Sequence, residues 1–152
     1  MKHILTSLVL MVLLFPALAL GETIDDLEYR GDGLIYENFS DVPFTGNITG
    51  KTEQGTIRNG KKEGPWVYYY GNGQLSYKGI FKVGKKDGTW DYYHSNGQLS
   101  YKVTYKDNKK DGPYVNYYDN GQLGSKGTYK DGKEVGPWVR YSSDGSEMVV
   151  ED

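Results

Sequence analysis

The chain has 152 residues, enough for one domain. Its formal net charge of −2 argues against nucleic acid as a partner. It contains no Cys, which excludes disulfides, thiol catalysis, most zinc sites and lipoprotein anchoring.

Residues 1–19 read as a secretory signal peptide. Met1-Lys2-His3 is a short basic start, and Ile4 to Phe15 is apolar apart from Thr6 and Ser7. Pro16 then breaks the helix, and Ala17-Leu18-Ala19 fits a small-x-small cleavage site. The apolar core of about 12 residues is short beside the roughly 20 of a membrane span. An uncleaved anchor is the alternative. Either way the rest of the chain is expected to work outside the cytoplasm, as a periplasmic or extracellular protein.

Residues 20–42 form an acidic N-terminal segment with a short strand. Residues 22–41 carry seven acids and one base, Arg30. Residues 42–152 carry sixteen Lys and Arg against thirteen acids, so the two parts differ in sign. The acidic segment either lies on the basic part or is a solvated linker. Residues 22–33 read as flexible, and Leu34-Ile35-Tyr36 as the strand.

From residue 43 the chain repeats. Gly64-Pro65-Trp66 through Asn72-Gly73-Gln74-Leu75 returns 24 residues later as Gly88-Thr89-Trp90 through Asn96-Gly97-Gln98-Leu99. It returns again as Gly112-Pro113-Tyr114 through Asn120-Gly121-Gln122-Leu123, and as Gly136-Pro137-Trp138 through Asp144-Gly145. A fixed period of this length marks a stacked repeat array, in which each unit buries its face against its neighbours. The array spans residues 43–152, with units near 43–63, 64–87, 88–111, 112–135 and 136–152. The first lacks the Trp and the Asn-Gly and reads as a degenerate cap.

Each unit reads as a β-hairpin. Asn-Gly and Asp-Gly tolerate the two positive φ angles of a type I′ turn. Strand one is then residues 65–71 and strand two 74–82. Tyr70 is expected to oppose Leu75, Tyr68 to oppose Tyr77, and Trp66 to oppose Gly79 with its ring over that glycine. Alternation puts Trp66, Tyr68, Tyr70, Leu75, Tyr77 and Phe81 on one face, and Val67, Ser76, Lys78 and Lys82 on the other. The excess of 15 Tyr over 4 Phe suits a sheet that stays partly wet. The fold class is therefore all-β, an elongated single-layer antiparallel sheet of stacked hairpins. The paired lysines Lys61-Lys62, Lys85-Lys86 and Lys109-Lys110 are expected in the second turns, as charges that discourage edge pairing.

The motif Gly-x-Trp-x-x-Tyr-Tyr-x-Asn-Gly-x-Leu, cleanest in residues 88–99, resembles the MORN repeat in its bacterial variant form. Gly33-Leu34-Ile35-Tyr36 with Pro43-Phe44-Thr45-Gly46 is similar to the start of YwqK-family antitoxin proteins. The resemblance covers about residues 31–148. It implies a hairpin ribbon that binds proteins or lipid surfaces or acts as a scaffold, with no catalytic residue in the motif.

No reaction centre is legible. Beyond the leader the one histidine is His94, which stands in the slot of Tyr70 and Tyr118 and has no ligand partner at metal spacing. No catalytic residue, metal or cofactor is expected, and the chain reads as a non-enzyme. The first functional reading is a protein-binding or scaffold module that uses the aromatic face: Trp66, Tyr68, Tyr70, Trp90, Tyr92, His94, Tyr114, Tyr118 and Trp138. The second is contact with an anionic membrane surface through Lys78, Lys102 and Lys126 beside Lys82, Lys106 and Lys130. The third, a toxin-neutralising or immunity role, is implied by the resemblance alone. Partner identity and oligomeric state are not legible in the residues.

Overall fold

The computed structural model describes residues 23–148; the signal-peptide reading of residues 1–19 falls outside them. A 3-10 turn at Ile24–Asp26 leads into a small sheet of β1 (Leu27–Tyr29) and β2 (Ile35–Glu37). Ten strands follow: β3 (Gly46–Thr49), β4 (Glu53–Arg58), β5 (Lys61–Tyr69), β6 (Leu75–Lys82) and β7 (Lys85–Tyr93). The series continues with β8 (Leu99–Lys106), β9 (Lys109–Tyr117), β10 (Leu123–Lys130), β11 (Lys133–Tyr141) and β12 (Glu147–Met148). They form one antiparallel sheet in sequence order, each strand bonded to its sequence neighbours. The expected all-β ribbon of consecutive hairpins is what the chain folds into.

The Asn-Gly turns differ from the expected type. Tyr68 opposes Tyr77 and Trp66 opposes Gly79, but the register then shifts and Tyr69, not Tyr70, faces Leu75. The Gly73 amide donates to the Tyr70 carbonyl, and the Tyr70 amide donates to the Gln74 carbonyl. Of the turn residues Gly73 has a positive φ, 84°, and Asn72 does not. This is a three-residue loop, a type I turn closed by a left-handed glycine. Asn72 Oδ1 accepts the Gln74 amide at 3.0 Å, which is why Asn serves there. Asn96, Asn120 and Asp144 repeat that bond.

The type I′ turns lie at the opposite ends of the strands. Val83 and Gly84 have φ of 49° and 78°, and Asn59-Gly60, Asp107-Asn108 and Asp131-Gly132 match them. Strand one therefore runs from residue 61 to 69 rather than 65 to 71. The lysine pairs, expected in turns, lie inside strands. Lys61 and Lys85 point to solvent, whereas Lys62 and Lys86 are half-buried.

Each first strand of the units bearing Trp carries a bulge. Between Gln54↔Val67 and Thr56↔Glu63 the register shifts, so Gly55 alone faces Gly64, Pro65 and Trp66. The bulge gives Pro65, which has no N–H to donate, a place inside a sheet. It also swings the Trp66 indole over Gly55 of the preceding strand, not over Gly79 of its own hairpin. Trp90 covers Gly79 and Trp138 covers Gly127 in the same way.

The core sits at the N-terminal end of the aromatic face. Ile35, Phe44, Ile48, Ile57 and Trp66 are buried together, with Leu27, Tyr68 and Phe81 against them. The small sheet thus covers the first unit, and residues 27–29, expected to be flexible, are a strand. A bridge from Tyr36 to Pro43 and the Gly60–Phe44 and Ile35–Gly60 backbone bonds tie it to the array.

Candidate functional site: the aromatic face

One face of the sheet carries two lines of side chains. The first follows direct cross-strand pairs: Glu53, Tyr68, Tyr77, Tyr92, Tyr101, Asn116, Ser125, Arg140 and Met148. Its four tyrosine rings stack like books, with centroids 4.2, 5.3 and 4.1 Å apart. Such pairs contribute about 0.5–1.5 kcal/mol each beyond the area they bury. The second line is Trp66, Phe81, Trp90, Tyr105, Tyr114, Tyr129 and Trp138. Its neighbours meet mostly edge to face, as Phe81 does with Trp90 at 5.0 Å and Tyr129 with Trp138 at 5.1 Å.

Trp66 and Trp90, expected to meet a partner, are 1% and 0% exposed. They are core. Their rings are held under neighbouring rings, and each Nε1–H donates to a backbone carbonyl, of Thr56 at 3.1 Å and of Ile80 at 3.2 Å. Trp138 is only half-buried, and among the described residues its Nε1 has no hydrogen-bond partner. The surface this face offers is made of Tyr68, Tyr92, Tyr114 and their neighbours, all half-buried.

Three lysines missed at the level of sequence complete the face. Lys62 Nζ lies 4.1 Å from the Trp66 ring centre, Lys86 Nζ 4.4 Å from that of Trp90, and Lys110 Nζ 4.6 Å from that of Tyr129. Their stems cover apolar rings while the ammonium groups meet the ring faces. Lys62 donates to the Tyr68 hydroxyl at 2.9 Å and pairs with Glu53 at 2.9 Å. Lys86 donates to the Tyr92 hydroxyl at 2.7 Å and, among the described residues, has no carboxylate partner. Burial among the rings pushes the Lys86 ammonium below the usual lysine range. Burial likewise raises the phenols of Tyr68 and Tyr92 well above the usual range, and that of Tyr101 to about 12. The signal for these lysines was their shared place four residues before the ring in three successive units, before Trp66, Trp90 and Tyr114.

Tyr70, His94 and Tyr118 are clasps between units. The Tyr70 hydroxyl donates to the Tyr93 carbonyl at 2.6 Å, and the Tyr118 hydroxyl to that of Tyr141 at 2.8 Å. His94 Nε2 sits 3.0 Å from the Tyr117 carbonyl, which fixes the proton on that nitrogen. His94 thus does what the tyrosines do in the same slot.

The expected lysine rows part company. On the polar face Asp91 lies between Lys78 at 3.9 Å and Lys102 at 3.3 Å, which neutralises much of that row; Lys126 faces Val115 and Val139 instead. Lys82, Lys106 and Lys130 flank the type I′ turns opposite Lys85, Lys109 and Lys133. A shallow cleft of about 430 Å³ between two such turns is lined by Lys61, Lys82, Lys85 and Lys106, with Asp87 and Asp107. Lys85 pairs with Asp107 and Lys130 with Asp111. Among the described residues no three metal-ligating side chains converge.

Three consecutive stretches, residues 62–82, 86–107 and 110–131, match the family model described as MORN repeat variant. Each match begins within β5, β7 or β9 and takes in the hairpin formed with the next strand. The three matches fall on the central units of the sheet, so those units are similar to the MORN repeat variant. No curated protein matches the chain. The solved structure described as Crystal Structure of TarM is similar at 12% identity over 74% of this chain and 21% of that one, with a TM-score of 0.35. The chain spans about a fifth of that protein's length.

Proposed function

We propose that the protein is a non-enzymatic, exported binding or scaffold module that engages a protein partner through the aromatic face of its sheet. The observation that carries this reading is the stack of four half-buried tyrosines, Tyr68, Tyr77, Tyr92 and Tyr101, backed by ring-stacked lysines. Such a surface offers large amphipathic contact area at low side-chain entropy cost, and aromatic residues are enriched where proteins meet. Export rests on the basic, apolar and small-residue pattern of residues 1–19.

The test is capture of the partner from the cell envelope by the immobilised chain. Tyr92→Ala is expected to weaken capture while circular dichroism stays that of a β protein. Lys102→Glu and Lys126→Glu, on the opposite face, are expected to leave it unchanged. The reverse pattern overturns the reading.

A second reading is supported by the pairs Lys82/Lys85, Lys106/Lys109 and Lys130/Lys133, which concentrate positive charge on one edge. It predicts co-sedimentation with anionic vesicles that is lost as salt rises. Sedimentation indifferent to lipid charge removes it.

A further inference from the structure

The tyrosine line stops at Tyr101. In the slots that hold Tyr92 and Tyr101 in one unit, the next unit holds Asn116 and Ser125. The line therefore runs Tyr92, Tyr101, Asn116, Ser125, Arg140, each opposite the next across adjacent strands. The stack that runs from Tyr68 to Tyr101 thus meets two polar slots where the preceding units carry phenol rings. From Tyr101 to Arg140 is three strand spacings, roughly 14 Å, so the gap is wide enough for an aromatic ring. Its floor is polar, with the Ser125 hydroxyl bonded to Asn116 Oδ1 at 2.5 Å. One wall is Tyr101, which stacks on Tyr92 at 4.1 Å on one side but meets only the tilted Tyr114, at 6.1 Å, on the other.

The lysine beside the gap is also unlike its counterparts. Lys62 and Lys86 each donate to a tyrosine hydroxyl of their own unit, Tyr68 and Tyr92. The corresponding residue for Lys110 is Asn116, and Lys110 meets ring faces only, those of Tyr114 and Tyr129. Among the described residues no hydroxyl or carboxylate bonds to it. The two preceding units thus display what the gap lacks: a phenol ring stacked on the tyrosine line, with its hydroxyl accepting a hydrogen bond from the lysine.

Resting on the reading of this face as a protein-binding surface, we propose that the notch at Asn116 and Ser125 receives a tyrosine side chain of the partner. The ring stacks on Tyr101 and the hydroxyl accepts a hydrogen bond from Lys110. The partner thereby completes the stack that the chain itself leaves open.

The test is a chemical-shift titration of the isotope-labelled full chain with N-acetyl-tyrosinamide, and separately with N-acetyl-phenylalaninamide. Saturable shifts are expected at Tyr101, Lys110, Asn116 and Ser125. The tyrosine amide should bind roughly 2- to 10-fold tighter than the phenylalanine amide, the range one hydrogen bond supplies. The double variant Asn116→Tyr/Ser125→Tyr fills the notch with the residues other units carry, and should abolish the shifts. Lys110→Met keeps the apolar stem and should bring the two amides to equal affinity. Absence of saturable shifts in the wild type, or binding unchanged in both variants, overturns the proposal. Partner capture that survives filling of the notch also overturns it, while leaving the wider binding-module reading intact. Tyrosine-amide binding as expected, with no partner captured by any form, has the opposite meaning: the notch stands and the wider reading falls.

Discussion

The indole of Trp90 occupies the space above Gly79 so closely that a Cβ on that glycine would lie 2.1 Å from a ring carbon. Gly55 with Trp66 and Gly127 with Trp138 repeat the arrangement, at 2.2 and 2.3 Å. In the one unit where the glycine is replaced, by Val103, the tryptophan is replaced by the smaller Tyr114. Ring size and glycine therefore change together. Gly79→Val is expected to destabilise by about 1–3 kcal/mol or more through overpacking. Adding Trp90→Tyr should recover most of that loss. Urea denaturation of the two single variants and the double variant measures the coupling, and simple additivity would contradict it.

Val83 is a β-branched residue held at φ 49° in a type I′ turn, with its side chain 58% exposed. The corresponding residues of the other turns are Asn59, Asp107 and Asp131, which tolerate that backbone far better. Val83→Asn should relieve strain of about 1–3 kcal/mol and raise the thermal midpoint by several degrees. An unchanged or lower midpoint in a melting experiment would count against strain at this turn.

The clasps tie each unit to the next across 23 residues. Tyr118→Phe keeps the ring and removes the hydroxyl that reaches Tyr141. A loss of about 0.5–1.5 kcal/mol is expected, the net worth of one such bond. Hydrogen exchange should show faster opening near Tyr141 and unchanged protection in β5 and β6. Uniformly faster exchange would mean the clasp is not local.

Alkali should loosen the stack. Burial raises the phenols of Tyr68, Tyr92 and Tyr101 above their unfolded value near 10, that of Tyr101 to about 12. The folded protein therefore holds protons that the unfolded chain releases. Stability from this source is complete below pH 10 and falls as pH rises through the folded values. The depressed Lys86 acts in the opposite direction, but it is one group against several tyrosines. Phenolate absorbance should show a late-titrating group of tyrosines, together with a urea midpoint that declines above pH 10. A midpoint flat to pH 12 would contradict this.

Much of the fold was legible because repetition amplifies weak local signals. Asn72-Gly73 marked where the chain reverses, and Tyr68 opposite Tyr77 followed from it. The turn type did not follow, because asparagine before glycine suits a type I turn with a left-handed glycine as well as a type I′ turn. The pair Val83-Gly84 gave no sign of a type I′ turn, since a β-branched residue is a poor occupant of that conformation. Of the site, the line of rings was visible and its burial was not. Alternation assigns Trp66 and Trp90 to a face but does not say that neighbouring rings and lysine stems will close over them. Lys62, Lys86 and Lys110 read as edge charges because nothing in the Asn-Gly spacing reveals that strand one begins as early as Lys61. The overlap of Trp90 with Gly79 was present as an eleven-residue spacing, with Val103 and Tyr114 as its exception.

Because every strand of the ribbon bonds only to those beside it in sequence, the molecule behaves as a ruler graduated in units of one hairpin pair. Excising residues 88–111 would bring Lys82-Val83-Gly84-Lys85-Lys86-Asp87 directly before Gly112, the same order of groups that precedes Gly88 now. The shortened chain would lose one graduation and no pairing, and a duplicated segment would gain one. The length of the ribbon can thus be altered by whole increments with its strand pairing kept, provided the ring that meets Gly79 or Val103 at the new junction is matched to it.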